Sequence, residues 1–200
     1  MMRSEVSDIS LLFYYNYAMQ DSRNLVWMDM EMTGLDPEKD VVLEIATIIT
    51  DARLNVLAEG PVLAVSQPPE VLQSMDPWCV EHHGASGLTQ RVMESRVSVE
   101  EAERMTLDFI QEYCMPKAAP LCGNSIHQDR RFLVRYMPKL NNYLHYRIVD
   151  VSSFKEILER WYPDDFARPF KQKSHLALDD IRESIAELSD YRTRFFKKTN

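Results

Sequence analysis

Asn24-Leu-Val-Trp-Met-Asp-Met-Glu-Met-Thr-Gly-Leu-Asp-Pro37 carries an apolar stretch straight into two carboxylates and then into a turn. Asn24 to Met30 reads as a buried strand, and Thr33 to Pro37 as the turn that ends it, because Gly34 and Asp36-Pro37 suit a reversal. Side chains two apart on a strand share a face, so Asp29 and Glu31 point at one place. Hard carboxylate oxygens held that way suit Mg²⁺ or Mn²⁺. Alone, such a pair reads better as a solvated strand end.

Working outward, Val41 to Thr50 is a second apolar strand, and Leu54 to Ala58 and Val62 to Val65 continue an antiparallel meander, since the connections are too short for crossover helices. Asp76-Pro77 opens a short helix carrying Trp78, His82 and His83, with Gly84 at its end. Ser98 and Glu101 form a capping box before Ala102, Met105, Phe109 and Tyr113 at helical spacing. Pro120 to Cys122 is a short strand that runs into Gly123-Asn124-Ser125, and Ile126 to Tyr136 is helical. Arg147 to Asp150 is another strand, Ser153 and Glu156 cap a helix to about Trp161, and Pro163 to Lys173 is a polar loop. A last helix runs from about Leu178 towards Phe196. A meander followed by strands alternating with helices implies an α/β fold with a mixed sheet, antiparallel then parallel, flanked by helices.

The 200 residues suffice for one domain with a sizeable core. No apolar run approaches the roughly 18 to 20 residues that span a bilayer, so no membrane association is expected. Three cysteines without metal-type spacing point to a reducing compartment, the cytoplasm. A formal net charge of -8 argues against stable binding of long nucleic acid, which needs a basic face. Charge is nevertheless uneven: Asp129 is the single acid among Arg130, Arg131, Arg135, Lys139 and Arg147.

Two further stretches carry chemistry. Asp129 stands one turn into its helix, where an acid also favours the helix dipole by roughly 0.3–1 kcal/mol. His175 precedes the last helix with Asp180 five residues on, and a histidine there suits a general base near neutral pH. Asp179 reads as a helix cap. Each of these also has a plain structural reading. Together, an Asp-x-Glu on the first strand, an Asp on a middle helix and a His-x₄-Asp before the last helix resemble the DEDDh group of 3′→5′ exonucleases. Trp27-Met-Asp-Met-Glu-Met-Thr-Gly-Leu-Asp-Pro37, Gly123-Asn-Ser-Ile-His-Gln-Asp-Arg-Arg-Phe-Leu133 and His175-Leu-Ala-Leu-Asp-Asp-Ile-Arg-Glu-Ser184 resemble the oligoribonuclease branch of that group.

The resemblance implies an RNase H-like fold over residues 22–200, with residues 1–21 as an N-terminal extension or a mis-assigned start. It implies two divalent ions, Mg²⁺ or Mn²⁺, about 3.5–4 Å apart, serving an in-line displacement. Asp29 would bridge them, Glu31 and Asp180 complete the first site, Asp129 help hold the second, and His175 take a proton from the attacking water. It also implies that Leu35 wedges against the bases, Trp78 stacks on the terminal one, and His83 and Ser125 touch phosphate. Tyr146 and Arg147 would reach from a partner subunit in a homodimer to close the 5′ end, selecting very short RNA oligomers such as dinucleotides. A core role for Trp78 and a packing role for Tyr146 are the alternatives at those positions. Other functional readings are a tRNA-trimming or DNA-proofreading exonuclease of the same group, and a non-catalytic nucleic-acid-binding module. Four converging carboxylates speak against that last reading, because without metal they repel phosphate.

Overall fold

The apolar alternation that begins at Leu25 places Val26, Met28, Met30 and Met32 on one face of a strand and Trp27, Asp29 and Glu31 on the other. The computed structural model describes residues 20–167 and 176–196. Its first strand, β1 (Leu25–Met32), pairs antiparallel with β2 (Val42–Thr50), whose nine residues are all buried. On its other side β1 pairs parallel with β5 (Leu121–Gly123), which pairs parallel with β6 (Ile148–Asp150). The order is β3-β2-β1-β5-β6, the mixed sheet expected. The meander needs one correction. Both β3 (Val56–Glu59) and β4 (Leu63–Ala64) pair with β2, β3 near Ile48–Thr50 and β4 at Glu44 and Ile45, so the chain returns to the same edge instead of adding a new one.

Helices cover both faces. The Met28 face packs on α4 (Val99–Tyr113), α5 (His127–Tyr136) and α6 (Pro138–Tyr143), through Ala102, Ile110, Phe132, Leu133 and Leu140. The Trp27 face packs on α7 (Val151–Trp161) and α8 (Ala177–Phe195), through Leu158, Ile181, Ile185 and Tyr191. A third cluster, built on Leu43, lies under α1 (Pro69–Gln73), α2 (Pro77–Ala85) and α3 (Leu88–Glu94). The short helices α1, α3 and α6 have no counterpart in the sequence reading.

Local chemistry sets the helix starts. Ser98 accepts from the Glu101 amide as the capping box requires, but the Glu101 carboxylate turns to Arg104. Asp76 caps α2 through the Cys79 amide, a bond worth about 1 kcal/mol; that helix runs through Gly84 to Ala85. The capping box placed at Ser153 is not used. The cap of helix α7 lies three residues earlier, because the Asp150 carboxylate takes the Ser152 amide. All three cysteines are free and buried. Among the described residues no helix is long and apolar enough to cross a membrane.

Candidate active site

The face of β1 that carries Trp27 also carries Asp29 and Glu31, and α8 lies across it. Trp27 is fully buried and donates from its indole nitrogen to Thr50, so α8 can pack tightly on that end of the strand. The first turn of α8 then falls over the other end. It brings Asp180, some 150 residues away in sequence, to the strand pair: ligand oxygens of Asp29, Glu31 and Asp180 all lie within 4.8 Å of one another. Neighbouring Asp179 does not join them and does not cap the helix, as the sequence suggested. It pairs instead with Arg182, which also holds Glu59.

Asp129 arrives by a different route. β5 stops at Gly123, where an added Cβ would sit 2.9 Å from the Met28 carbonyl oxygen and 2.8 Å from Ile126, so the chain can hug β1 only without a side chain there. Beyond that point the sheet ladder has run out, and Asp129 from the first turn of α5 takes its place. Its Oδ1 accepts the Met30 amide at 2.9 Å, between the two carboxylates of β1. Asp129 is buried, and burial pushes its carboxyl up to about 7, although its bonds to backbone amides pull the other way.

Glu31 is pushed up to about 8, first by burial and then by the charges of Asp180, Glu44 and Asp129. Glu44 was not foreseen. It is the direct cross-strand partner of Glu31, it is buried, and Arg91 of α3 holds it at 2.7 Å. The clue lay in the sequence: a lone acid inside the otherwise uncharged run Val41 to Thr50 has to find a partner. These acids fit a divalent cation by their donor chemistry. Hard oxygens converge there, and the charges of Asp180, Glu44 and Asp129 add to burial in raising Glu31, a repulsion that a cation would relieve.

A cleft of about 490 Å³ opens beside Glu31, lined by Met30, Met32, Gly34, Leu35, Asp76, Trp78 and His83 among others. Leu35 and Trp78 are exposed at its rim, at 63% and 57%, which removes the core reading of Trp78. Trp78 stacks on His82 at 3.9 Å between ring centroids. The loop bearing Leu35 is stapled by Asp40, which accepts from Thr33 and from the Asp36 amide, and Arg131 donates to the Leu35 carbonyl. His83 lines the same cleft but is buried. One ring nitrogen bonds the Met32 carbonyl at 2.9 Å and the other lies 3.9 Å from Glu31. Burial holds that ring below its usual range, so the approach to Glu31 is that of a neutral imidazole, not an ion pair.

The remaining expected residues lie apart from this cleft. Ser125, at a left-handed φ of 50°, has its amide fixed by Asp150 and Ser152. Tyr146 is 73% exposed, stacked on His145 and with Arg147 over its ring at 5.3 Å, so it is no part of the core of its own chain. His175 lies outside the described residues.

Residues 26–188 match the exonuclease family of RNase T type. The chain is 58% identical to the oligoribonuclease of Marinobacter nauticus over 179 residues, 90% of this chain and 99% of that protein. The same values hold for the oligoribonuclease of Pseudomonas aeruginosa. Among solved structures, a moderately thermophilic exonuclease I from Methylocaldum szegediense is similar with a TM-score of 0.66 at 20% identity, covering 87% of this chain. E. coli exonuclease I in complex with a dT13 oligonucleotide gives a TM-score of 0.63 at 16% identity, covering 86%. This chain spans only 41% of each of those two longer chains, so that likeness speaks for the fold.

Proposed function

This chain belongs to the oligoribonuclease family of exonucleases, and from that premise we propose that it hydrolyses very short RNA, dinucleotides above all, from the 3′ end to nucleoside 5′-monophosphates at the Asp29–Glu31–Asp180 cluster. One observation carries the assignment of the site: two strand carboxylates and a helix carboxylate distant in sequence converge within 4.8 Å.

Asp29, Glu31 and Asp180 would hold one divalent cation, Mg²⁺ or Mn²⁺, and Asp129 would contribute to a second beside it. Such cations supply Lewis acidity, lowering the pKa of water and neutralising charge that builds on the phosphoryl group. The chain's own groups do the rest. The Met30 amide holds Asp129 by one carboxylate oxygen. His175 takes the proton from the attacking water. Leu35 and Trp78 grip the terminal base across the cleft, a stacking contact worth roughly 1–3 kcal/mol that ignores base identity. His83 can meet a phosphate only by the ring edge that faces Glu31.

Ser125 touches phosphate, and length selection falls to Tyr146 and Arg147 of the partner subunit in a homodimer. Tyr146 and Arg147 lie outside the cleft of their own chain and are exposed, as groups that act on a neighbour must be. A substrate with one or two phosphates needs little basic surface, in keeping with the net charge of -8 and a cytoplasmic enzyme that does not hold long nucleic acid. The test uses 5′-labelled RNAs from about two to about twenty nucleotides, with and without EDTA; sequence-indifferent stacking predicts that length alone orders the rates. Rapid, EDTA-sensitive cleavage that falls steeply with length is expected. Equal rates along the series would remove the length selection, and cleavage surviving EDTA would remove the metal.

A further inference from the structure

Asp129 and Asp180 sit on helices that reach the site from opposite sides of β1, and no strand joins them. The first turn of α8 has no side-chain cap among the described residues. A chain of oriented hydrogen bonds joins the two sides instead. The Ser152 hydroxyl donates to Asn124 Oδ1 at 3.0 Å, Asn124 Nδ2 donates to the Ser184 hydroxyl at 2.9 Å, and Ser184 donates to the Asp180 carbonyl at 2.8 Å. Asn124 Nδ2 also donates to Glu187 Oε2 at 3.0 Å, and the other oxygen of Glu187 accepts from Tyr191 and Lys155. Ser184 and Glu187 are buried.

This arrangement has one direction. Turning the Asn124 amide over would set its oxygen against the Glu187 carboxylate and against Ser184, whose proton is committed to Asp180. Asn124 is therefore locked by its acceptors, and it stands in the loop between β5 and α5 that leads directly to Asp129. The next residue, Ser125, is pinned by Asp150 and Ser152. Asn124, Ser184 and Glu187 have no role in the sequence reading, though Asn124 and Ser184 both stand in the strings that carry the resemblance.

We infer that Asn124, Ser184 and Glu187 form a positioning clamp that fixes the first turn of α8 against the start of α5, and so sets the spacing between Asp180 and Asp129 on which cation binding depends. This rests on the proposed metal-dependent function. Asn124 touches neither substrate nor cation; it acts through the backbone of the residues that do. Outer contacts of this kind, when removed, typically cost roughly 10–100-fold in metal affinity or activity.

The experiment reads Mn²⁺ binding calorimetrically on the full chain without RNA, alongside turnover of a dinucleotide. Ser184→Ala keeps helix propensity and removes two links of the chain, so the fold should survive. It should weaken Mn²⁺ binding about tenfold while leaving the circular dichroism spectrum and melting temperature close to wild type. Asn124→Asp places a carboxylate against Glu187 and should weaken binding further. Adding Glu187→Gln to it restores the donor–acceptor pair with residue 187 in reverse, though not the bond to Ser184, and should recover part of the binding. Wild-type Mn²⁺ binding in Ser184→Ala, or a double variant no better than Asn124→Asp alone, would overturn the clamp; if Asn124→Asp does not fold, Ser184→Ala decides. A wild-type protein that binds Mn²⁺ but releases no nucleotide would instead refute the proposed function, leaving the clamp to be judged on the binding data.

Discussion

Replacing Glu31 by glutamine should stabilise the cation-free protein, and by an amount that depends on pH. A glutamate in the unfolded chain titrates near 4.5, whereas Glu31 in the fold is pushed up to about 8 by burial and neighbouring acids. The sign follows from proton counts. Between those values the folded state holds a proton that the unfolded state has lost, so the stabilising contribution is full below about pH 4.5 and fades as pH rises through 8. At pH 7 the gap of about 2.5 units corresponds to about 3 kcal/mol. Glutamine keeps the shape and never titrates. Comparing the two proteins at each pH in EDTA cancels the groups remote from Glu31, while His83, 3.9 Å away and held below its usual range, gives the opposite slope below its ordinary pKa. Differential scanning calorimetry should find equal melting temperatures near pH 4.5 and a variant higher by roughly 6–12 °C at pH 7, taking about 2–4 °C per kcal/mol for this chain length. Saturating Mn²⁺ should reverse the order, since wild type then gains a ligand that binds only the folded state. A variant that melts below wild type at pH 7 in EDTA would refute the picture of an acid cluster under mutual repulsion.

The other expected effects concern turnover. Asp29→Ala, Asp129→Asn or Asp180→Ala should each lower it by at least about two orders of magnitude with an intact fold; near-normal rates with saturating Mg²⁺ would exclude that residue. His175→Ala should lower turnover far more than it raises the half-saturation concentration, because a base acts in the transition state; the reverse pattern would make it a binding group. Trp78→Ala should raise the half-saturation concentration for a dinucleotide about tenfold or more, the equivalent of losing one stacked base, and no change would remove Trp78 from substrate binding. Mixing Asp129→Asn with a Tyr146→Ala, Arg147→Ala double variant should restore activity towards about one quarter of wild type, because a twofold mixed dimer keeps one intact site. A mixture that stays inactive after confirmed subunit exchange would mean that both residues serve their own chain.

The parts legible in the sequence were those governed by period and by local chemistry. The alternation from Val26 to Met32 and the uncharged run on either side of Glu44 gave β1 and β2, and the spacing of Asp29 and Glu31 put them on one face. Helix α4 followed from Ser98 and its apolar stripe. Local spacing puts the cap of α7 at Ser153, but Asp150, read only as a strand end, takes that place and also holds the Ser125 amide, a tertiary link that spacing does not show. Helices of five to seven residues such as α1 and α3 are too short for a periodic signal and owe their form to packing on Leu43. The meeting of Asp180 with β1 is tertiary. Nothing in the spacing of His175 and Asp180 says which strand Asp180 approaches. The burial of His83 is likewise the work of distant groups, since its ring is held by the Met32 carbonyl.

Asp129 has a second duty that bears on how this protein can be disabled cleanly. Where β5 ends, its carboxylate stands in for a missing neighbour strand by accepting the Met30 amide. An alanine there deletes a charge and also strands a buried backbone donor, a penalty of about 1–3 kcal/mol unrelated to chemistry. Any loss of activity would then mix a broken sheet margin with a broken reaction, and the misplaced segment is the one bearing Asp29 and Glu31. Asparagine separates the two, since its carbonyl oxygen can keep the amide while the charge is gone. For preparing an inert form that still folds and still receives substrate, Asp129→Asn is the substitution of choice, and Asp129→Ala measures masonry as well as chemistry.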